Sequence, residues 1–130
     1  HPAATAVGMR TMAIIDEDGL NENSRTLGAS LTSLVEEAFG AHPYVGEIRG
    51  KGLLLGIEMV ADKDTKEPLD SGRVGQIVAK TKEAGVIIGR NGNTVPGLAN
   101  VLVMSPPLVA QQQEADQLVD ALAVGMKSIL

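Results

Sequence analysis

Apolar residues along this chain change their spacing from one segment to the next, and each change marks an element. Over residues 2–16 they are almost continuous (Ala3, Ala4, Ala6, Val7, Met9, Met12, Ala13, Ile14, Ile15), which predicts a helix apolar around most of its circumference. Pro2 suits its first turn and Gly19 its end. Over residues 24–39, Leu27, Leu31, Leu34, Val35 and Ala38 keep one stripe at helical spacing, with N-cap candidates at Asn21 and Asn23 and a stop at Gly40. Residues 44–48 and 53–60 read as strands separated by a Gly50-Lys51-Gly52 turn. The consecutive Leu53, Leu54 and Leu55 predict a strand covered on both faces and central in its sheet.

Asp70 or Ser71 caps a third helix to Ala84, in which Val74, Ile77, Val78 and Thr81 share a face, and Gly85 is its left-handed stop. Residues 86–88 and 100–104 read as short strands on either side of an exposed, irregular loop, GRNGNTVPGLAN, from Gly89 to Asn100. Pro106-Pro107 ends the last strand. A helix over residues 112–129 turns Ala115, Leu118, Val119, Leu122, Met126 and Ile129 inward. The order α-α-β-β-α-β-β-α predicts an α+β fold: a small three- to four-stranded sheet, antiparallel or mixed, with helices packed against it. Residues 1–130 form one domain, but its modest core is too small to bury the first helix on all sides. That helix, residues 1–19, is expected to pack on something outside the domain. The start at His1-Pro2, without an initiator methionine, reads as a piece of a longer chain.

Composition removes several classes. Aromatic residues are 2% of the chain and the net charge is −5, so there is neither a stacking platform nor a basic footprint for nucleic acid. Without cysteine there is no disulfide framework or thiolate metal site, and His1 and His42 are too few and too distant for a histidine metal cluster. No apolar run reaches the ~20 residues that span a bilayer, and Arg10 interrupts the apolar N-terminus, which lacks a basic leader. These features fit a cytoplasmic protein.

Few residues offer chemistry. The glycines of residues 50–56 superficially suggest a dinucleotide cradle, but a strand follows them where that motif requires a helix. Arg49 reads as a hairpin-end arginine pairing with Glu47 or Glu58, and Lys51 as a solvated turn amine. Asp16, Glu17 and Asp18 crowd a helix C-terminus, where the dipole disfavours them. Arg90, flanked by Gly89, Asn91 and Gly92, could grip a carboxylate bidentately and swing on flexible flanks, although on spacing alone it reads as a solvated loop arginine. No Ser-His-Asp arrangement is available, and no complete catalytic apparatus is present.

Three segments carry a family resemblance: His1-Pro2-Ala3-Ala4, the stretch EIRGKGLLLGIE from Glu47 to Glu58, and Ser105-Pro106-Pro107-Leu108. In this order and spacing they resemble the C-terminal part of a class III aminotransferase, a fold-type-I enzyme that uses pyridoxal 5′-phosphate. The resemblance implies a small domain beside a cofactor-binding large domain, in an enzyme that moves an amino group from an ω-amino acid or amine to pyruvate or a similar keto acid. It implies a homodimer. The family's Schiff-base lysine, its aspartate under the pyridine nitrogen and its phosphate-binding threonine would lie upstream of His1, so this chain alone is expected to be inactive and to contribute no catalytic or cofactor-binding residue. Arg90 matches an arginine that pairs with the substrate carboxylate in the ω-amino acid:pyruvate branch. In the ornithine-type branch an arginine stands three residues before the Pro-Pro pair; here that position is Val103. Two departures accompany the likeness: a longer loop over residues 93–100, and Gln111 where a Thr or Ser usually caps the last helix. The competing expectation is a stand-alone α+β module that binds a small amino acid or serves as a dimer contact.

Overall fold

A computed structural model of the chain describes residues 1–92 and 95–130. The elements run α1 (Pro2–Glu17), α2 (Leu20–Phe39), β1 (Val45–Lys51), β2 (Leu54–Met59), α3 (Ser71–Glu83), β3 (Gly89–Arg90), β4 (Val101–Met104) and α4 (Gln112–Lys127). The strands form one antiparallel sheet in the order β1-β2-β4-β3. The α+β order expected from the spacing is the observed order. Asn93 and Thr94, the first two residues of the longer loop segment, lie outside the described residues.

One face of the sheet carries the core. Leu55, Ile57 and Met59 of β2 and Leu102 and Met104 of β4 are buried, and they meet Leu31 and Val35 of α2, Val74 and Ile77 of α3, and Leu122 and Met126 of α4. With so few aromatics this core is aliphatic, and each such side chain removed from water contributes on the order of 1.5–3 kcal/mol before entropy is counted. The other face has no helix over it. Strand β2 is an inner strand, as expected, but it is not covered on both faces: Leu54 is 60% exposed. Three leucines in a row therefore place one on the open side of a single-layer sheet.

The hairpin differs from expectation in its turn. Lys51 pairs with Leu54, so Gly52 and Leu53 turn the chain and Gly50 remains in the strand. Gly52 sets this register, because it alone in the segment holds a left-handed φ, +56°. The turn rests directly on α2. The Ser24 hydroxyl accepts from the Leu53 N–H at 3.3 Å, and a Cβ on Gly28 would fall 2.2 Å from the Gly52 carbonyl oxygen. Helix α2 starts at Leu20 rather than Ser24, since Gly19 at φ +63° both ends α1 and supplies the N-cap of α2. Asn23 thus lies inside the helix, where its amide donates to the carbonyls of Leu108 and Ala110 at 2.7 and 2.9 Å.

Residues 86–88 are not a strand. The Val86 N–H still donates to the Thr81 carbonyl at 3.2 Å beyond Gly85, whose φ is +95°. Continuing the β3–β4 register would also place Val86 opposite Pro106, which has no N–H to give. Pairing begins only at Gly89. Asp70 caps α3 as expected, accepting from the Gly72 and Arg73 N–H groups at 2.9 and 3.2 Å. At the head of α4 the Glu114 carboxylate accepts from the Gln111 N–H at 2.9 Å, so part of the capping function passes from the cap residue to the third residue of the helix. The far end of α4 is held from α3: Arg73, stacked 4.2 Å over the Tyr44 ring, donates to the Ile129 carbonyl, and Gln76 donates to that of Ser128 at 2.7 Å.

Helix α1 stands apart. It has no buried residue, Val7, Met9 and Met12 are each more than 60% exposed, and Arg10 pairs with Glu17 at 2.8 Å along its surface. No helix among the described residues is long and apolar enough to cross a membrane.

His42 has a structural role. Its Nδ1 accepts from the Tyr44 N–H at 3.2 Å, while its buried Nε2 has no hydrogen-bond partner among the described residues. Burial, aided by the nearby Lys63 charge, lowers its pKa below the usual histidine range.

Two outcomes follow. Replacing Gly28 by Ala should push α2 off the hairpin turn and lower stability by about 1–3 kcal/mol, read from the urea midpoint. As pH falls, unfolded His42 takes up its proton near the ordinary value of ~6.5 while folded His42 resists, so stability should decline below about pH 6.5. Urea midpoints between about pH 8 and pH 5 should fall less in His42→Asn than in the native chain.

Candidate functional site

The edge of the sheet at β3 holds the residue that the sequence singles out. Gly89 lies opposite Val103 and Arg90 opposite Leu102. Strand alternation therefore sends Gly89 to the open face and Arg90 toward the helical layer. Because β3 is an edge strand, the Arg90 side chain runs beside α3 and donates through Nη1 to the Ser71 carbonyl at 2.9 Å. The guanidinium passes close to Gly75 of α3, where a Cβ would meet Nη1 at an ordinary contact distance of 3.7 Å.

The pairing of this arginine sets it apart. Arg10, Arg25 and Arg49 are each paired with a carboxylate. Arg73 is occupied by the Tyr44 ring and the Ile129 carbonyl. Among the described residues Arg90 has no carboxylate partner, and it is exposed. Its planar fork, held by one neutral acceptor, retains donors for an anionic ligand.

Immediately after β3 the chain is bracketed by Asn91. Its N–H donates to the Val101 carbonyl at 2.9 Å, its Oδ1 accepts from the Val101 N–H at 2.8 Å, and its Nδ2 donates to the Leu98 carbonyl at 2.6 Å. Buried Asn100 closes the other side: its Nδ2 donates to the Met59 carbonyl at 2.7 Å. Spacing did not single out either asparagine. The only signal was their Gly- and Asn-rich context.

The open face is built differently. Glu47 lies directly opposite Glu58, and Arg49 reaches both, at 2.7 and 3.1 Å. The hydrogen bond with Glu58 is the main reason the guanidinium pKa is raised above its ordinary value. Arg49 is thus the cross-strand arginine its sequence context indicated. Beside this triad are two shallow concavities. One, of about 310 Å³, lies between Arg49, Glu58, Asn91, Leu98 and Val101. The other, of about 390 Å³, lies over Gly56 between Arg49, Leu54 and Val103. Val103 is half-buried on this face.

The lysines do not fit a covalent cofactor site. Lys51 is exposed at the hairpin end, Lys63 and Lys66 donate to the Gly40 and Gly46 carbonyls at 3.3 and 3.4 Å, and Lys80 pairs with Glu83 at 2.6 Å. Lys82 and Lys127 are exposed. None sits in the dry pocket that a Schiff-base lysine needs, so no chemical step is assigned to a cofactor on this chain.

The family model described as aminotransferase class-III matches residues 1–125. The chain belongs to the class III aminotransferase family. Among relatives, it is 43% identical over 128 residues to the uncharacterized aminotransferase YhxA of Bacillus subtilis, covering 98% of this chain and 28% of that protein. It is 35% identical over 127 residues to the taurine–pyruvate aminotransferase of Rhodobacter capsulatus, again 98% of this chain and 28% of the relative. Among solved structures, a Bacillus anthracis aminotransferase superposes with a TM-score of 0.96 at 44% identity, over 99% of this chain and 29% of that one. An amine transaminase from an uncultivated Pseudomonas species, in its pyridoxal-phosphate-bound form, gives 0.89 at 30% identity, over 100% of this chain and 28% of that one. The chain therefore spans less than a third of the length of these relatives.

The triad yields a test. Arg49→Ala leaves Glu47 and Glu58 facing each other, and should destabilise the sheet by about 0.5–1 kcal/mol. In a Glu47→Gln background the same change should have a smaller effect, measured by a double-mutant cycle of urea midpoints.

Proposed function

We propose that this chain is the C-terminal part of a longer aminotransferase that moves an amino group from an ω-amino acid or amine to pyruvate or a similar keto acid, with Arg90 binding the substrate carboxylate. The observation that carries the reading is the exposed Arg90 guanidinium, unpaired with any carboxylate among the described residues and tethered only to the Ser71 carbonyl. One weak tether to a neutral oxygen can be exchanged for a charge-assisted, bidentate grip when an anionic substrate arrives, and restored when the substrate has no anion. The taurine–pyruvate relative supports an anionic end on the donor as well, since a sulfonate presents oxygens that the same fork can bind.

The cofactor of the whole enzyme is pyridoxal 5′-phosphate, which when bound supplies the electron sink for moving the amino group. The lysine that anchors it belongs to the remainder of the protein, and the isolated chain is inactive. Residues 1–19 dock on that remainder, a reading supported by an α1 that is apolar around most of its circumference and has no fully buried residue within this domain. The same exposed apolar surface supports a homodimer. Absence of cysteine and a net charge of −5 support a cytoplasmic enzyme.

In the full-length enzyme, Arg90→Ala should raise the KM for pyruvate by roughly 10- to 100-fold, the range of a lost charged hydrogen bond. The KM for a carboxylate-free amine donor should stay within about threefold. Steady-state kinetics with both substrates varied checks this, and equal effects on the two would remove Arg90 from the substrate site.

A further inference from the structure

We propose that Asn91 is a positioning residue for Arg90, a step that rests on the carboxylate-binding role given to that arginine. Strand β3 has only two residues and Arg90 is the second, so nothing within the strand fixes where its backbone leaves the sheet. Asn91 does. Its N–H and Val101 form one side of a further ladder rung, and its side-chain Oδ1 replaces its own carbonyl on the other side. Val101 keeps both of its backbone groups paired while the main chain turns away at once. The Nδ2 then reaches across to the Leu98 carbonyl and holds the returning arm of the loop.

Arg90 is consequently fixed between two rungs, Gly89–Val103 before it and Asn91–Val101 after it. Its side chain keeps the direction that brings Nη1 to Ser71 and past Gly75. The choice of side chain is narrow. Aspartate would keep the acceptor for Val101 but lose the donor to Leu98, and would set a negative charge against that carbonyl. Serine is too short to span both partners. Asparagine offers an acceptor and a donor at the required length. This linkage also explains why a half-buried residue in an otherwise exposed segment makes three hydrogen bonds.

The test uses the full-length enzyme with pyruvate and a carboxylate-free amine. Asn91→Asp should raise the KM for pyruvate by roughly three- to tenfold, as expected for one lost hydrogen bond acting indirectly. It should leave the KM for the amine unchanged, with the loss of the Leu98 contact lowering the thermal midpoint by a few degrees at most. Because Asn91 acts through Arg90, adding Asn91→Asp to Arg90→Ala should produce no further rise. A rise of equal size for both substrates, or full additivity in the double variant, overturns the proposal. If Arg90→Ala is itself unselective, the reading of Arg90 fails and takes this proposal with it. A selective Arg90→Ala beside a silent Asn91→Asp overturns the role of Asn91 alone. Should Asn91→Asp not accumulate as folded protein, Asn91→Ser is read in the same way.

Discussion

The rest of the domain depends on the contact between the backbone of α2 and the tip of the β1–β2 hairpin. Gly28 and Gly52 meet with no side chain between them, and the Ser24 hydroxyl takes the Leu53 N–H at the same place. Because Gly52 can hold a positive φ, the turn is tight, and because Gly28 has no Cβ, the helix can lie directly on it. This contact sets the height of α2 above the sheet, and so determines which of its side chains reach the core. Leu31 and Val35, one and two turns further along, become fully buried in the core. The core has little else to fix its geometry, since aliphatic side chains pack by volume and carry no directional partner.

From that layer the two faces of the sheet diverge in character. The covered face is apolar from β1 to β4. The open face alternates a balanced charge cluster at Glu47, Arg49 and Glu58 with apolar and glycine positions at Leu54, Gly56 and Val103. Arg90 belongs to neither. At the outer edge it runs beside the helical layer, where among the described residues no carboxylate pairs with it. Placing an arginine beyond both faces keeps it from being absorbed into structure, which is the fate of Arg49 and Arg73.

Most of the fold was legible in the sequence because it is written in periodicities. The cap at Asp70 and the stop at Gly85 each have one local physical cause and appear where the residues indicate, while the stripe of α2 holds at Leu27, Leu31 and Val35 but buries Phe39 in place of the expected Ala38, which is exposed. What was not legible depended on pairing across the chain. Within the segment the hairpin turn moved because only Gly52 adopts the left-handed conformation, and Val86 does not pair because its register partner would be Pro106 and its N–H is already given to the Thr81 carbonyl. The covering of β2 on both faces was overestimated, since a run of leucines is the same whether its second face meets solvent or another part of a larger protein. At the candidate site the arginine could be singled out by its flanking glycines and by family likeness. Asn91 could not. Its importance lies in partners seven and ten residues away, and no spacing rule marks an amide that substitutes for a carbonyl.

Gly19 joins α1 to α2 through a single left-handed residue, and α1 beyond it has no fully buried residue. The two helices are therefore continuous in sequence but thermodynamically separate. Melting α1 exposes no core, so its hydrogen bonds open with the low free energy of a 16-residue helix in water and not with that of the domain. Whatever surface covers α1 must supply nearly all of its order. The domain itself does not supply that order, and Gly19 marks the point at which the chain leaves the cooperative unit.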